Sequence, residues 1–140
     1  LRNKQFCNLT EVVVRPDDTM ASLRTKVEAA TILGTFQATL TNFRYLTSKW
    51  KHNTQEESLL GVSLTGIMDN IDMINGKIDL EYLKNLSVSI NKVWAKKLGI
   101  PQSAAITCVK PSGTVSQLLV FTLDIAHTTF VLSVLIRKIR

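Results

Sequence analysis

The run Phe6 to Val14 (FCNLTEVVV) is short, apolar and β-branched. Arg15 and the Pro16-Asp17-Asp18 turn close it, the pattern of a buried strand. Asp18 or Thr19 can cap a helix. Beyond them Met20, Leu23, Val27, Ala30, Leu33, Phe36 and Leu40 recur at steps of three and four, predicting one long amphipathic helix that ends near Leu40. From Thr41 to Glu57 the pattern dissolves into polar and aromatic residues, and Leu59 to Met68 (LLGVSLTGIM) then predicts a short apolar strand. Asp79 opens another helix, in which Leu80, Leu83, Leu86, Ile90, Val93 and Leu98 hold the helical period until Gly99 ends it and Pro101 prevents resumption. Ser103 to Val109 (SAAITCV) predicts a further buried strand, followed by the loop Lys110-Pro-Ser-Gly-Thr and a polar entry to a helix at Val115. The order strand, helix, strand, helix, strand, loop, helix argues for parallel strands with helices packed outside, in an open sheet or a barrel.

Composition narrows the class. At 140 residues, 45% apolar and 20% charged, the chain is one folded domain's worth of sequence and neither a disordered tail nor a fibre. Its net charge of +6 invites a polyanion, but the basic residues are scattered. Their one dense cluster is Arg137, Lys138 and Arg140, and no basic stretch is interleaved with aromatics, so the surplus reads as solubility charge and no nucleic-acid partner is expected. Two cysteines about a hundred positions apart exclude a disulfide scaffold, a CxxC redox pair and a four-cysteine zinc site. That cysteine usage makes a reducing, cytoplasmic setting the expectation, and Leu1 to Phe6 carry no signal-peptide pattern. Leu1 stands where a start methionine would, which suggests a piece of something longer.

The loop Pro111-Ser112-Gly113-Thr114, with Ser116 behind it, falls between a predicted strand and a predicted helix start. Exposed amides, hydroxyls and a helix N-terminus form a phosphate cradle, because unpaired N–H groups and the positive end of the dipole face the anion. The same residues also make an ordinary turn and N-cap, and neither GxxxxGK[ST] nor GxGxxG is present. Cys7 starts a strand beside Asn8, with Glu11 four residues on, while Cys108 lies inside an apolar strand and reads as a small hydrophobe. His52 and His127 have no second ligand at metal-binding spacing, so no metal site is expected. Glu56-Glu57 and Asp69-Asn70 read as solvated loop charge.

QFCNLTEVVVRPDDT, AATILGTFQATLTNFRYL, LLGVSLTGIMD and WAKKLGIPQSAAITCVKPSGTVSQL, in that order, resemble consecutive blocks of the ribonucleotide reductase catalytic domain, and most closely its adenosylcobalamin-dependent (class II) enzymes. The resemblance covers about Leu1 to Leu119 and implies a partial ten-stranded α/β barrel. It also implies conversion of ribonucleotides to deoxyribonucleotides by thiyl-radical chemistry with a redox-active cysteine pair. Cys7 matches the second thiol of that pair. Pro111, Ser112, Gly113 and Thr114, with Ser116 as a further member, match the loop that grips the substrate phosphates. Adenosylcobalamin is the implied cofactor of the parent enzyme. The implied partners are a ribonucleotide substrate and a thioredoxin- or glutaredoxin-type reductant, with nucleotide effectors acting on a region outside this chain and no membrane. The family's radical cysteine, in an Asn-Pro-Cys-Gly-Glu loop, would lie upstream of Leu1, so the segment alone is expected to be inactive. Two other classes stay open: a nucleotide-phosphate binding module without redox chemistry, and a small basic membrane protein anchored by its tail.

Residues 120–140 depart from the family pattern and form a second region. Leu118 to Ile136 approaches the ~20 apolar residues of a membrane span and has a basic flank. Asp124 and His127 near its middle oppose that reading, since a central Asp costs about 2.5–3.5 kcal/mol on insertion. The expectation for the tail is instead a reading-frame change. Val120 to Val131 can be encoded so that a one-base shift yields Gly-Ile-His-Ser-Arg-Tyr-Ser-Pro-Tyr-Tyr-Ile-Arg, the family-like continuation.

Overall fold

The computed structural model describes residues 1–110. The elements run β1 (Asn8–Val13), α1 (Met20–Gln37), α2 (Ser48–Glu57), β2 (Leu60–Thr65), a single 3-10 turn at Ile67–Asp69, α3 (Ile71–Ile74) and α4 (Leu80–Leu98). β1 and β2 pair in parallel, in a register that sets Asn8 beside Leu60 and Val13 beside Thr65. Residues 104–108 run along the other edge of β2. There the Cys108 amide donates to the Val62 carbonyl at 3.0 Å, and one parallel bridge joins Val62 to Thr107.

The partial ten-stranded barrel expected from the resemblance is overturned. The described residues form one sheet of two parallel strands plus that single bridge. Residues 103–109 were expected to be a regular strand. However, the amides of Leu60 and Val62, two positions apart, donate to the carbonyls of Ala105 and Ile106, one position apart. That mismatch is a bulge-like break in the ladder, so pairing does not propagate.

The helix ends follow their capping chemistry. Thr19 and Ser22 cap α1 reciprocally, with Ser22 N–H donating to Thr19 Oγ1 and Thr19 N–H to Ser22 Oγ. Asp79 caps α4 through the amide of Tyr82, and Gly99, at φ 68°, ends it in the left-handed region that glycine adopts without strain.

α1 lies on one face of the sheet and α4 lies against α1. The buried stripe of α1 is Leu23, Val27, Ala30, Thr31, Gly34 and Thr35, while Leu33 and Leu40, assigned to the stripe by the apolar pattern, are 64% and 71% exposed. The reason is local. Gly34 has no side chain, so Leu60 comes within 3.3 Å of where its Cβ would sit, and Thr31 and Thr35 bury their hydroxyls by donating to carbonyls one turn back. In α4 the buried line is Leu83, Ser87, Asn91 and Ala95. Asn91 Nδ2 donates to Thr35 Oγ1 (3.1 Å) and Ser103 Oγ (3.0 Å), and its Oδ1 accepts from Ser103 N–H (3.0 Å), tying both helices to the segment that enters the third strand position.

The turn after β1 is tied to the segment after β2. Asn70, 1% exposed, donates to the carbonyls of Arg15 and Asp18 and accepts from the Met73 amide. Its solvated reading is therefore corrected. Among the described residues no helix is long and apolar enough to cross a membrane. The helix entry at Val115, the tail 120–140 and its possible span lie outside the described residues.

Candidate functional site: two thiols and an ion pair beside Gly61

Successive strand residues point to opposite faces. Thr10 and Leu60 face α1, both within 3.5 Å of where a Gly34 Cβ would be. Cys7, Leu9 and Glu11 therefore share the other face. Across β2, Cys108 and Lys110 arrive on that face as well, and Gly61 is where they meet. A Cβ built on Gly61 would lie 2.9 Å from Cys108 Sγ and 3.4 Å from Cys7 Sγ, and would collide with Leu9 Cδ2. Glycine is required here by the close approach of three side chains over one stretch of backbone.

Cys7 is held from both sides in the sequence. Asn8 donates its amide (2.8 Å) and its Nδ2 (3.0 Å) to the Leu59 carbonyl. Before Cys7, Phe6 N–H donates to Thr54 Oγ1, and the ring of Phe6 stacks on Trp50 at 4.6 Å. Gln5 Nε2 donates to the Asn53 carbonyl and to Glu57, and Arg2 bridges Glu56 (2.8 Å) and Glu57 (3.2 Å). Glu56 and Glu57 are thus not idle loop charge: α2 fastens the segment that leads to the thiol.

The CNLTE and TCVK blocks, about a hundred residues apart in sequence, are joined by an ion pair. Lys110 Nζ lies 2.8 Å from Glu11 Oε2, the Glu11 side chain being 7% exposed and that of Lys110 20%. Glu11 Oε1 is buried with no hydrogen-bond partner among the described residues.

Both cysteines are free and half-buried. Burial pushes the Cys7 thiol up and the neighbouring Cys108 adds to this, against a smaller downward pull from the chain's amino terminus. Burial also raises Cys108, with Lys110 pulling it down and Glu11 pushing it up. At neutral pH both are thiols. Such groups suit hydrogen and proton donation better than resting nucleophilic attack.

Of the residues singled out from sequence, the structure brings Cys7 and Cys108 together. Pro111, Ser112, Gly113, Thr114, Ser116 and His127 lie outside the described residues, and Lys110 directly precedes that loop in sequence. His52 is exposed on α2, and no group of three or more His, Cys, Asp or Glu that could hold a metal occurs among the described residues. Glu11, Lys110 and Gly61 were missed as site residues. The even spacings Cys7 to Glu11 and Cys108 to Lys110 carried the signal, because an even step along a strand keeps one face.

No protein-family model, no curated protein and no solved structure matches the chain.

Proposed function

We propose that the chain is a segment of the catalytic subunit of a ribonucleotide reductase, of the adenosylcobalamin-dependent type, in which Cys7 is one thiol of the pair that reduces the ribose. The observation that carries this reading is the meeting of the CNLTE and TCVK blocks on one sheet face, with Lys110 paired to Glu11 immediately before the loop assigned to substrate phosphates. In that reaction two thiols supply two hydrogens, the 2′ hydroxyl leaves as water, and the sulfurs close to a disulfide. A protonated Cys7, held firmly and half-open, meets the first requirement. Reopening the disulfide needs a thioredoxin- or glutaredoxin-type dithiol with access to the sulfur, which a half-buried position leaves available.

The described residues do not fit a corrin. Their one histidine, His52, is exposed on α2 rather than on the thiol face, so adenosylcobalamin would be held by parts of the parent enzyme outside them. When bound there it would supply the radical. The phosphates would be gripped by Pro111, Ser112, Gly113 and Thr114, with Ser116 behind. The test is Cys7→Ser in the full-length parent enzyme, which is expected to abolish turnover driven by a thioredoxin-type reductant while substrate binding persists. Turnover retained with that reductant would remove the redox role and leave a nucleotide-binding segment.

A further inference from the structure

Against the scattered-charge expectation, residues 43–52 interleave basic and aromatic side chains: Phe43, Arg44 and Tyr45, then Lys49, Trp50 and Lys51. No Asp or Glu occurs between Glu28 and Glu56. The carboxylates that end this gap, Glu56 and Glu57, are held by Arg2. Lys4, Arg44, Lys49 and Lys51 are exposed, and none of the four is in an ion pair among the described residues. The aromatics form a platform. Phe6 stacks on Trp50 at 4.6 Å with 29° between the rings, Phe43 closes on Phe6 at 5.0 Å, and the Phe6 amide is pinned to Thr54 of α2. Phe6 nevertheless stays 40% exposed. Tyr45, in the turn that Leu46 N–H closes onto the Phe43 carbonyl, is 98% exposed, so its ring contributes nothing to the core and both its faces are open.

We infer that this surface binds single-stranded nucleic acid, with bases stacking on Tyr45 and on the open side of Phe6 while phosphates meet Lys4, Arg44, Lys49 and Lys51. Charge complementarity selects a polyanion, and the exposed rings select one with flat faces to offer. A single strand fits better than a duplex, whose bases are already stacked on one another. The binding is sequence-tolerant, because every base has such a face. An anionic membrane fits less well: α2 (SKWKHNTQEE) carries Trp50 as its one apolar residue, so it has no apolar face to bury in lipid. The surface uses none of Cys7, Cys108, Glu11 and Lys110, and the inference does not rest on the reductase reading.

The test is fluorescence anisotropy of a labelled oligothymidylate of about 12 nucleotides, titrated with the 140-residue chain at a series of salt concentrations. Four phosphate contacts at about −0.7 each predict a log–log salt slope near −2.8. Tyr45→Ala should weaken binding at least about 5-fold with the slope unchanged, since it removes a stacking face and no charge. Lys49→Gln combined with Lys51→Gln should instead bring the slope to about −1.4. All three positions are exposed, so circular dichroism should not change in either variant. No binding at about 50 mM salt, duplex bound as tightly as the single strand, or affinity and slope kept in both variants would overturn the surface. So would binding of the chain to phosphatidylserine vesicles without binding to the oligothymidylate.

Discussion

Replacing Lys110 by Met leaves the Glu11 carboxylate buried with neither oxygen paired. The native pair spans 2.8 Å, with the carboxylate side chain 7% exposed and the ammonium 20% exposed. Glu11 Oε1 already has no partner among the described residues, so Lys110 is the only donor this carboxylate has there. Removing one partner of a fully buried pair costs about 3–5 kcal/mol. Because Lys110 is one-fifth exposed, water can partly replace it, and the cost falls to about 2–3 kcal/mol. Urea unfolding reads this directly: with a slope near 1.5 kcal/mol per molar, the midpoint of Lys110→Met drops by about 1.3–2 M. A second variant separates the pair from the packing of its stems. Glu11→Leu combined with Lys110→Met removes both charges and should recover most of the loss, because apolar groups of similar volume replace a buried pair with little penalty. If Lys110→Met unfolds within about 0.5 kcal/mol of the parent chain, an ordinary surface effect, the ion pair does not hold the two blocks together.

Asn91→Ala strips Thr35 Oγ1, Ser103 Oγ and Ser103 N–H of a buried partner, and should cost about 3 kcal/mol in the same urea assay; a loss under 1 kcal/mol would contradict the interhelical tie. Burial alone would raise the Asp18 carboxyl, but hydrogen bonds from Lys26, Ser22 and the Arg15 amide outweigh it and hold the carboxyl below its ordinary value. Its contribution is therefore complete above the ordinary carboxylate range and lost as pH falls through the lowered value. Urea midpoints measured from pH 6 to pH 2 should fall less steeply in Asp18→Asn than in the parent, and identical slopes would refute the assignment. Alkylation by iodoacetamide, followed by mass spectrometry at each cysteine, should show Cys7 and Cys108 reaching half-maximal rate at higher pH than a free cysteine peptide, since burial raises both. A half-maximum below pH 8 at either would contradict the protonated resting state.

What the sequence made legible was local. The caps at Thr19, Asp79 and Gly99 placed the start of α1 and both ends of α4, and apolar runs located β1 and β2 to within two or three residues. What escaped was set by distant partners. α2 has no apolar stripe; its buried residues are Asn53 and Thr54, and both are satisfied by the segment before β1. The buried faces of α1 and α4 were misplaced because Thr31, Thr35, Ser87 and Asn91 count as polar in a hydrophobicity pattern yet pair internally. The convergence at Gly61 was hidden for the same reason. The two cysteines are a hundred positions apart, and only the parallel pairing through β2 brings them to one face.

The claim that this is a reductase segment is tested most directly by the nucleotide sequence of its locus, several hundred bases on each side of the codons for residues 1–140. The account predicts an in-frame Asn-Pro-Cys-Gly-Glu loop shortly before the codon for Leu1. It also predicts that a one-base shift near the codon for Val120 restores Gly-Ile-His. A start codon beside Leu1, with no such loop upstream and no frame that restores that continuation, would contradict it.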